Sequence, residues 1–372
     1  MKKILIVANV AKEHIRKFHI PTILMLKEMG YQVDVACKMD VPIPECDHCI
    51  DLPCDRNPFK GRVLDSIRIL RRQINEIGYD VVHCHTITGG IVGRLSAKKA
   101  RKNGLKVVYT NHGMHFYKGA SIIRWLIGFP VEWVLAKITD VFIAINSEDY
   151  QNAKRFFRKT HVEKIDGIGV NLEKFYKKNT EEKSVLLRQK FGIPQNAYII
   201  TYIAEINKNK NQVSLVKAFS IIKKEIDQAV LLLVGPDHSN GEIENVISNC
   251  EYKDSIILTG WRNDISDILS ITDIITASSI SEGLGLNIIE SMAAGVPVVA
   301  YDNRGHREII KDQENGVLVP MNDEASMAKA VVTIHNNESL KEMYTKQAQK
   351  DIQKYNVENV LDELRHIYKT II

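Results

Sequence analysis

The stretch "SISEGLGLNIIESMAAGVPVVA", Ser279–Ala300, runs from a glycine-bracketed leucine through an amphipathic segment into an apolar strand. Gly283 and Gly285 permit a turn that other residues resist, and Leu286, Ile289, Met292 and Ala293 supply a buried face at helical spacing. Loop, helix and strand in that order make one unit of a parallel α/β sheet. Neither Glu282 nor Glu290 has a structural task in this unit. A loop that feeds a helix presents unpaired N–H groups and a positive dipole end to an anion, while carboxylates accept hydroxyl protons from the same ligand. A ligand with phosphates and many hydroxyls is a nucleotide sugar.

Working outward, apolar runs alternate with amphipathic segments along all 372 residues. Strands are expected at Ile4–Ala8, Val33–Ala36, Val81–Cys84, Val107–Thr110 and Val141–Ile145, with helical segments such as Ile20–Met29 and Ile91–Lys102 between them. A second series follows at Ile199–Ile203, Val230–Val234, Ile256–Leu258, Ile274–Ala277 and Val298–Ala300. The polar, lysine-rich stretch Asp166–Lys183 separates the two. The fold class is therefore α/β with two Rossmann-like, doubly wound domains, over residues 1–168 and 169–354; a terminal helix over about 355–372 is expected to pack back on the first.

Several function classes are excluded. The first strand runs into "NVAKEHIRKFH" without glycine, so no G-x-G-x-x-G fingerprint marks a dehydrogenase, and no G-x-x-x-x-G-K-[ST] loop marks a kinase or ATPase. "MKKILIVANV" is too short in apolar length for a signal peptide, and "IIRWLIGFPVEWVLAKI" is interrupted by Arg124, Pro130, Glu132 and Lys137, so it does not span a bilayer. Cys46 and Cys49 form a C-x-x-C without a second pair, which favours reduced thiols over zinc. Residues 1–164 carry 27 Lys+Arg against 16 Asp+Glu, although the whole chain is only +5. That basic half either solvates helix faces or attracts anionic lipid headgroups or a phosphate-bearing acceptor. Nucleic acid is not expected as a partner, because the basic groups are scattered.

"EGLGLNIIESMAAGVPVVA" resembles the E-x7-E signature of the retaining GT-B glycosyltransferases of family 4. "DVVHCHT", "HGMHFYKGA", "IDGIGVNLEKF", "IAEINKNKNQ", "LLLVGP" and "ILTGWRNDISDIL" follow the family's order, and the set is most similar to the bacterial capsule and exopolysaccharide branch. The resemblance implies two domains facing across a cleft. It implies that Glu290 holds the ribose hydroxyls, that Glu282 lies near the donor sugar, and that the amides of Gly283, Leu284, Gly285, Leu286 and Asn287 approach sugar and diphosphate. Lys210 matches a lysine that grips the diphosphate, and Arg262 joins the donor side. One departure stands out: Glu205 occupies the position usually held by arginine, with Lys208 either a compensating cation or an exposed loop residue. His112 matches the histidine beside the donor sugar, making His112, Lys210 and Glu282 the catalytic set. His14, His19, His85 and Lys118 are placed on the acceptor side.

No Asp-x-Asp pair is present to bridge a metal to a diphosphate, so metal-independent turnover without a cofactor is expected, with lysine and helix dipole neutralising the leaving group. The implied reaction moves an N-acetylhexosamine or hexose from a UDP-sugar to a polyprenyl-diphosphate-linked saccharide, with retention, at the inner face of the cell membrane. Phe116, Tyr117, Trp125, Phe129 and Trp133 beside Lys118 and Arg124 either meet the lipid surface or, with Ile122, Ile123 and Leu126, fill the first domain's core. A nucleotide-sugar 2-epimerase and a non-catalytic donor-binding subunit stay open as alternatives, since one fold hosts all three.

Overall fold

Runs of Val, Ile and Leu that are buried on both faces can only sit in sheets covered on both sides by helices. The computed structural model, which describes residues 1–55, 62–176 and 179–371, shows two such sheets, each wholly parallel. The first contains β1 (Lys3–Val10), β2 (Gln32–Lys38), β3 (His48–Asp51), β4 (Val81–His85), β5 (Lys106–Asn111), β6 (Val141–Ala144) and β7 (His161–Lys164), in the order β3-β2-β1-β4-β5-β6-β7. The second contains β8 (Tyr198–Ile203), β9 (Ala229–Val234), β10 (Ile256–Leu258), β11 (Ile274–Ala277), β12 (Val298–Tyr301) and β13 (Val317–Val319), in the order β10-β9-β8-β11-β12-β13.

All ten strands expected from apolar runs are present, and three more appear: β3, β7 and β13. Each is an edge strand. β3 and β7 are short and polar, so they lack the continuous apolar run that marks a strand buried on both faces.

The chain divides into two units, residues 1–169 with 357–372, and residues 170–356. Within the first unit the helix Val357–Ile371 buries Val360, Leu361, Leu364, Ile367 and Tyr368, and Tyr368 reaches His83 at 2.6 Å. Of the polar stretch Asp166–Lys183, Lys177 and Lys178 lie outside the described residues.

The helix Ile122–Ala136 and the loop before it divide the two readings of this segment between their residues. Phe116 is wholly buried and Trp125 and Phe129 pack against the core, so three of the aromatics are core residues. The aliphatic residues that one reading placed in the core lie outside, with Ile122, Ile123 and Leu126 exposed by 76%, 68% and 69%. The helix is held by a buried fork: Arg94 Nη1 and Nη2 donate to Glu132 Oε2 and Oε1 at 2.9 and 2.8 Å, with the guanidinium 3.9 Å from the Tyr109 ring centre. Among the described residues no helix is long and apolar enough to cross a membrane.

Two positions follow from these topologies. Strand order reverses between β1 and β4 in the first sheet, and between β8 and β11 in the second. Loops leaving the carboxyl ends of strands at such a reversal diverge and open a crevice, where α/β sheets bind ligands.

Candidate functional site

In the second unit, β8 leads into Ala204–Asn211, β11 into Ser278–Gly285 and β12 into Asp302–His306. Gly235, at the end of β9, sits so close to the first of these loops that an added Cβ would lie 2.0 Å from the Ala204 carbonyl. Only glycine fits there. The Asn207 side chain then accepts the amides of Asn209 and Lys210, both at 3.0 Å, folding "NKNKN" into a turn. Asn209 ties this turn to the next loop, its carbonyl accepting from Ile280 N at 2.7 Å and its amide donating to Ser281 O at 3.0 Å.

The result is an ion pair. Lys210 Nζ lies 2.5 Å from Glu282 Oε1, with the two side chains 24% and 15% exposed. Two residues read as separate ligand contacts are therefore partners in this state. Behind Glu282, Arg304 Nε donates to its carbonyl at 3.2 Å, and a Cβ on Gly305 would lie 2.6 Å from Glu282 Cβ. Asn303 caps the short Arg304–Arg307 helix and donates to Ser279 O, while His306 Nδ1 lies 2.6 Å from Tyr301 O. Burial holds the His306 pKa below its ordinary value, against the pull of Glu282. These four residues, Asn303 to His306, were missed from sequence; the only signal was "DNRGHR" at a strand end.

The helix Leu286–Ala293 starts at Gly285 with no side-chain cap, so its first amides are presented by a bare end. Two details of the sequence reading need correction. Neither Gly283 nor Gly285 takes a positive φ, and Gly285 has φ −86°. At Gly285 space is tight instead, since a Cβ there would meet Ile288 Cδ1 at 3.1 Å and His306 Cδ2 at 3.4 Å, and these side chains would have to give by a few tenths of an ångström. The buried face runs through Ile288, Ile289, Met292 and Ala293, with Leu286 half-buried. Leu284 is buried, and Gly283, Asn287 and Glu290 are half-buried.

Glu205, Lys208 and Arg262 stand apart from that pair. Glu205 is exposed, its backbone fixed by Gln212 Nε2 at 3.0 Å. Lys208 is exposed and borders a cavity of about 170 Å³ that also touches Gln212 and Glu242. Arg262 forks onto Asp264, with Nε donating at 2.8 Å.

In the first unit the corresponding loops bring together four histidines. β1 continues into a π-helix, Ala11–His19, carrying His14 and His19; β4 ends at His85; β5 ends just before His112. Their rings make one group, with His14 Nε2 3.0 Å from His19 Nε2 and His85 Nδ1 3.4 Å from His112 Nε2. His112 is positioned by its loop: Gly113 N donates to Asn111 Oδ1 and Met114 N to Asp149 Oδ2, both at 2.9 Å. Thr86, next to His85, takes φ 61° and ψ 168°, a conformation that costs a non-glycine residue about 1–3 kcal/mol and collects at functional sites. Burial lowers the His112 pKa to about 4, and burial followed by the neighbouring rings holds those of His19 and His85 well below 6.5. His83 is different, since Tyr368 and Thr110 bind both of its ring nitrogens. It supports the cluster from behind. Lys118 is exposed, its backbone amide donating to Glu148, and the structure does not place it in the cluster.

Two parallel sheets, each with polar groups gathered where strand order reverses, define a two-domain α/β protein of the GT-B fold class. Residues 3–146 match the family Glycosyl transferase 4-like, and residues 185–351 match Glycosyl transferases group 1. The chain is 38% identical to EpsD of Bacillus subtilis (strain 168), named as a glycosyltransferase, over 99% of this chain and 96% of that one. It is 28% identical to UDP-Gal:alpha-D-GlcNAc-diphosphoundecaprenol alpha-1,3-galactosyltransferase of Escherichia coli, over 84% of this chain and 81% of that one. The structure of Anabaena HepE in complex with UDP and glucose superposes with TM-score 0.79 over the whole of both chains, at 19% identity. The protein belongs to the group 1, family 4 glycosyltransferases.

Proposed function

We propose that this glycosyltransferase moves a hexose or N-acetylhexosamine from a UDP-sugar to a polyprenyl-diphosphate-linked saccharide, with retention, in bacterial surface-polysaccharide assembly. The observation that carries the donor reading is the Lys210–Glu282 pair beside the uncapped start of Leu286–Ala293. An ammonium group and free helix amides are the two devices that stabilise a leaving diphosphate without a metal. Glu282 accepts a hydrogen bond from Lys210 and keeps further lone pairs for sugar hydroxyls, so it can aim the cation while touching the donor. Glu290, one turn into the helix, is assigned to the ribose, and His112 to a hydrogen bond with sugar or acceptor. The departing diphosphate oxygen takes the acceptor proton, and the acceptor hydroxyl attacks the face that the diphosphate leaves. The diphosphoundecaprenol-linked acceptor of the Escherichia coli relative and the UDP and glucose bound by the structural neighbour support this choice of substrates.

The lipid part of the reading rests on the first unit. The helix Ile122–Ala136 exposes Ile122, Ile123, Leu126, Ile127, Val134 and Trp133, with Arg124 beside them and Lys118 just before the helix. Inward from this face lies a cavity of about 420 Å³ lined by Ile87, Ile91, Met114, Phe116, Ile127 and Val131. Exposed apolar area together with basic groups binds anionic bilayer surfaces reversibly. The cytoplasmic membrane face is therefore the proposed place of work.

The test is incubation of purified protein with a panel of UDP-sugars and a polyprenyl-diphosphate N-acetylhexosamine, analysed by mass spectrometry with and without chelator. A lengthened lipid saccharide that survives chelation is expected. An epimerised donor would establish the epimerase instead, and donor binding without turnover would leave a non-catalytic subunit.

A further inference from the structure

We propose that His14, His19, His85 and His112 form a binding site for one transition-metal dication of the zinc class. One ring nitrogen from each of the four lies within 4.8 Å of every other. Zinc–imidazole bonds of about 2.0–2.1 Å put tetrahedral ligand atoms roughly 3.4 Å apart. The His14–His19 contact, at 3.0 Å, is already close to that spacing. The remaining pairs close on the ion from at most 4.8 Å.

A second observation points the same way. His85 is 3% exposed, and while its Nδ1 lies against His112, its Nε2 is buried without a hydrogen-bond partner. A buried polar atom left unmatched costs about 1–3 kcal/mol, so it marks a place where something else binds. The backbone is arranged for this grouping too. Five residues of ordinary α-helix turn through roughly 500°, which would put His14 and His19 about 140° apart. The wider winding of the π-helix Ala11–His19 returns them to one face, with ring centres 4.7 Å apart.

Ligand type selects the ion. Four imidazoles without a carboxylate suit zinc, copper or nickel, whereas calcium and magnesium require oxygen. Burial keeps the rings of His19, His85 and His112 neutral, the form that ligates. His83, with its ring centre 4.2 Å from that of His85 and both nitrogens bound, braces the site from behind. Because an ion here takes the lone pair of His112, it competes with sugar or acceptor for that ring; this consequence rests on the proposed role of His112, while the site itself does not.

The test uses the full-length chain, freed of metal by chelation and dialysis, and titrated with Co²⁺ alone. One equivalent should bind and give the intense visible d–d bands of a tetrahedral nitrogen site. The double variant His14→Gln/His19→Gln should lose those bands and bind more than about 100-fold more weakly, since even an outer-shell partner is worth 10–100-fold. Cys46→Ser/Cys49→Ser should keep them, which separates the cluster from the thiol pair, whose sulfurs are 3.2 Å apart. X-ray absorption on the zinc-loaded wild type reads the same site without substitution, with four nitrogen neighbours at about 2.0 Å expected. No stoichiometric uptake, bands that survive the histidine double variant, or an absorption spectrum with sulfur neighbours or without the outer-shell scattering of imidazole rings would each overturn the site.

Discussion

The two sheets share one topology and carry opposite chemistry at the same structural position. Where strand order reverses in the second sheet, the loops hold a partly exposed ammonium–carboxylate pair beside a bare helix end. Where it reverses in the first, four imidazoles gather, and burial lowers the pKa values of three of them, His19, His85 and His112. Topology thus decides where each crevice opens, and side chains decide its character: a cation and a carboxylate in the second unit, imidazoles in the first. Each unit also has a close cation–carboxylate pair, and these differ in the same instructive way. Arg94 is wholly buried against Glu132 and fastens a helix, whereas Lys210, paired with Glu282, keeps 24% of its side chain exposed.

The sharpest way to break that second contrast is to remove one member of each pair. Glu132→Ala leaves a buried guanidinium without its carboxylate and should cost about 3–5 kcal/mol, read as a lower denaturation midpoint of the first unit. Lys210→Ala should leave the midpoint close to wild type, yet reduce turnover by about 10²–10³-fold, the range for losing one group that stabilises a departing negative charge. Equal thermal losses from both would make the two pairs alike in kind. Glu290→Ala should weaken donor binding by about 1–3 kcal/mol in calorimetry, with a smaller effect on the rate at saturation, because its proposed contact exists before and during transfer.

Acid should distinguish the two units further. A histidine whose folded pKa lies near 4 against 6.5 when free binds fewer protons folded than unfolded, so its contribution to stability is lost as pH falls from about 6.5 to about 4. Thermal scans across that interval should show the first unit losing stability, and His112→Gln should flatten the dependence. A second unit that fails first would contradict the assignment of acid sensitivity to the cluster. The smallest effect concerns the bilayer: charge reversal at Arg124 and Lys118 should weaken co-sedimentation with anionic liposomes by about 1 kcal/mol per residue, and salt should do the same to the wild type. Efficient transfer to a soluble sugar by protein that never sediments at low or high salt would remove the lipid acceptor.

Local sequence determined a large share of this protein. Apolar runs such as Ile4–Ala8 and Val230–Val234 are strands because a segment that must be buried on both faces has no other place, and Glu282 and Glu290 stood out because glycine and leucine spacing already accounted for their neighbours. What sequence could not show was partnership. Lys210 and Glu282 are 72 positions apart and meet only because β8 and β11 are neighbours. The exposed face of Ile122–Ala136 was unreadable because an apolar helix looks the same whether it enters a core or a bilayer; the Arg94–Glu132 fork, with Trp125 and Phe129 packed against the core, turns one side inward. His14 and His19 belong to opposite sides of an α-helix, and it is the π-winding at the end of β1, together with the parallel register of β1, β4 and β5, that gathers four distant histidines. Side-chain type and period are local properties of a chain; which groups share a crevice depends on strand order and backbone winding, and these are settled only when the whole sheet forms.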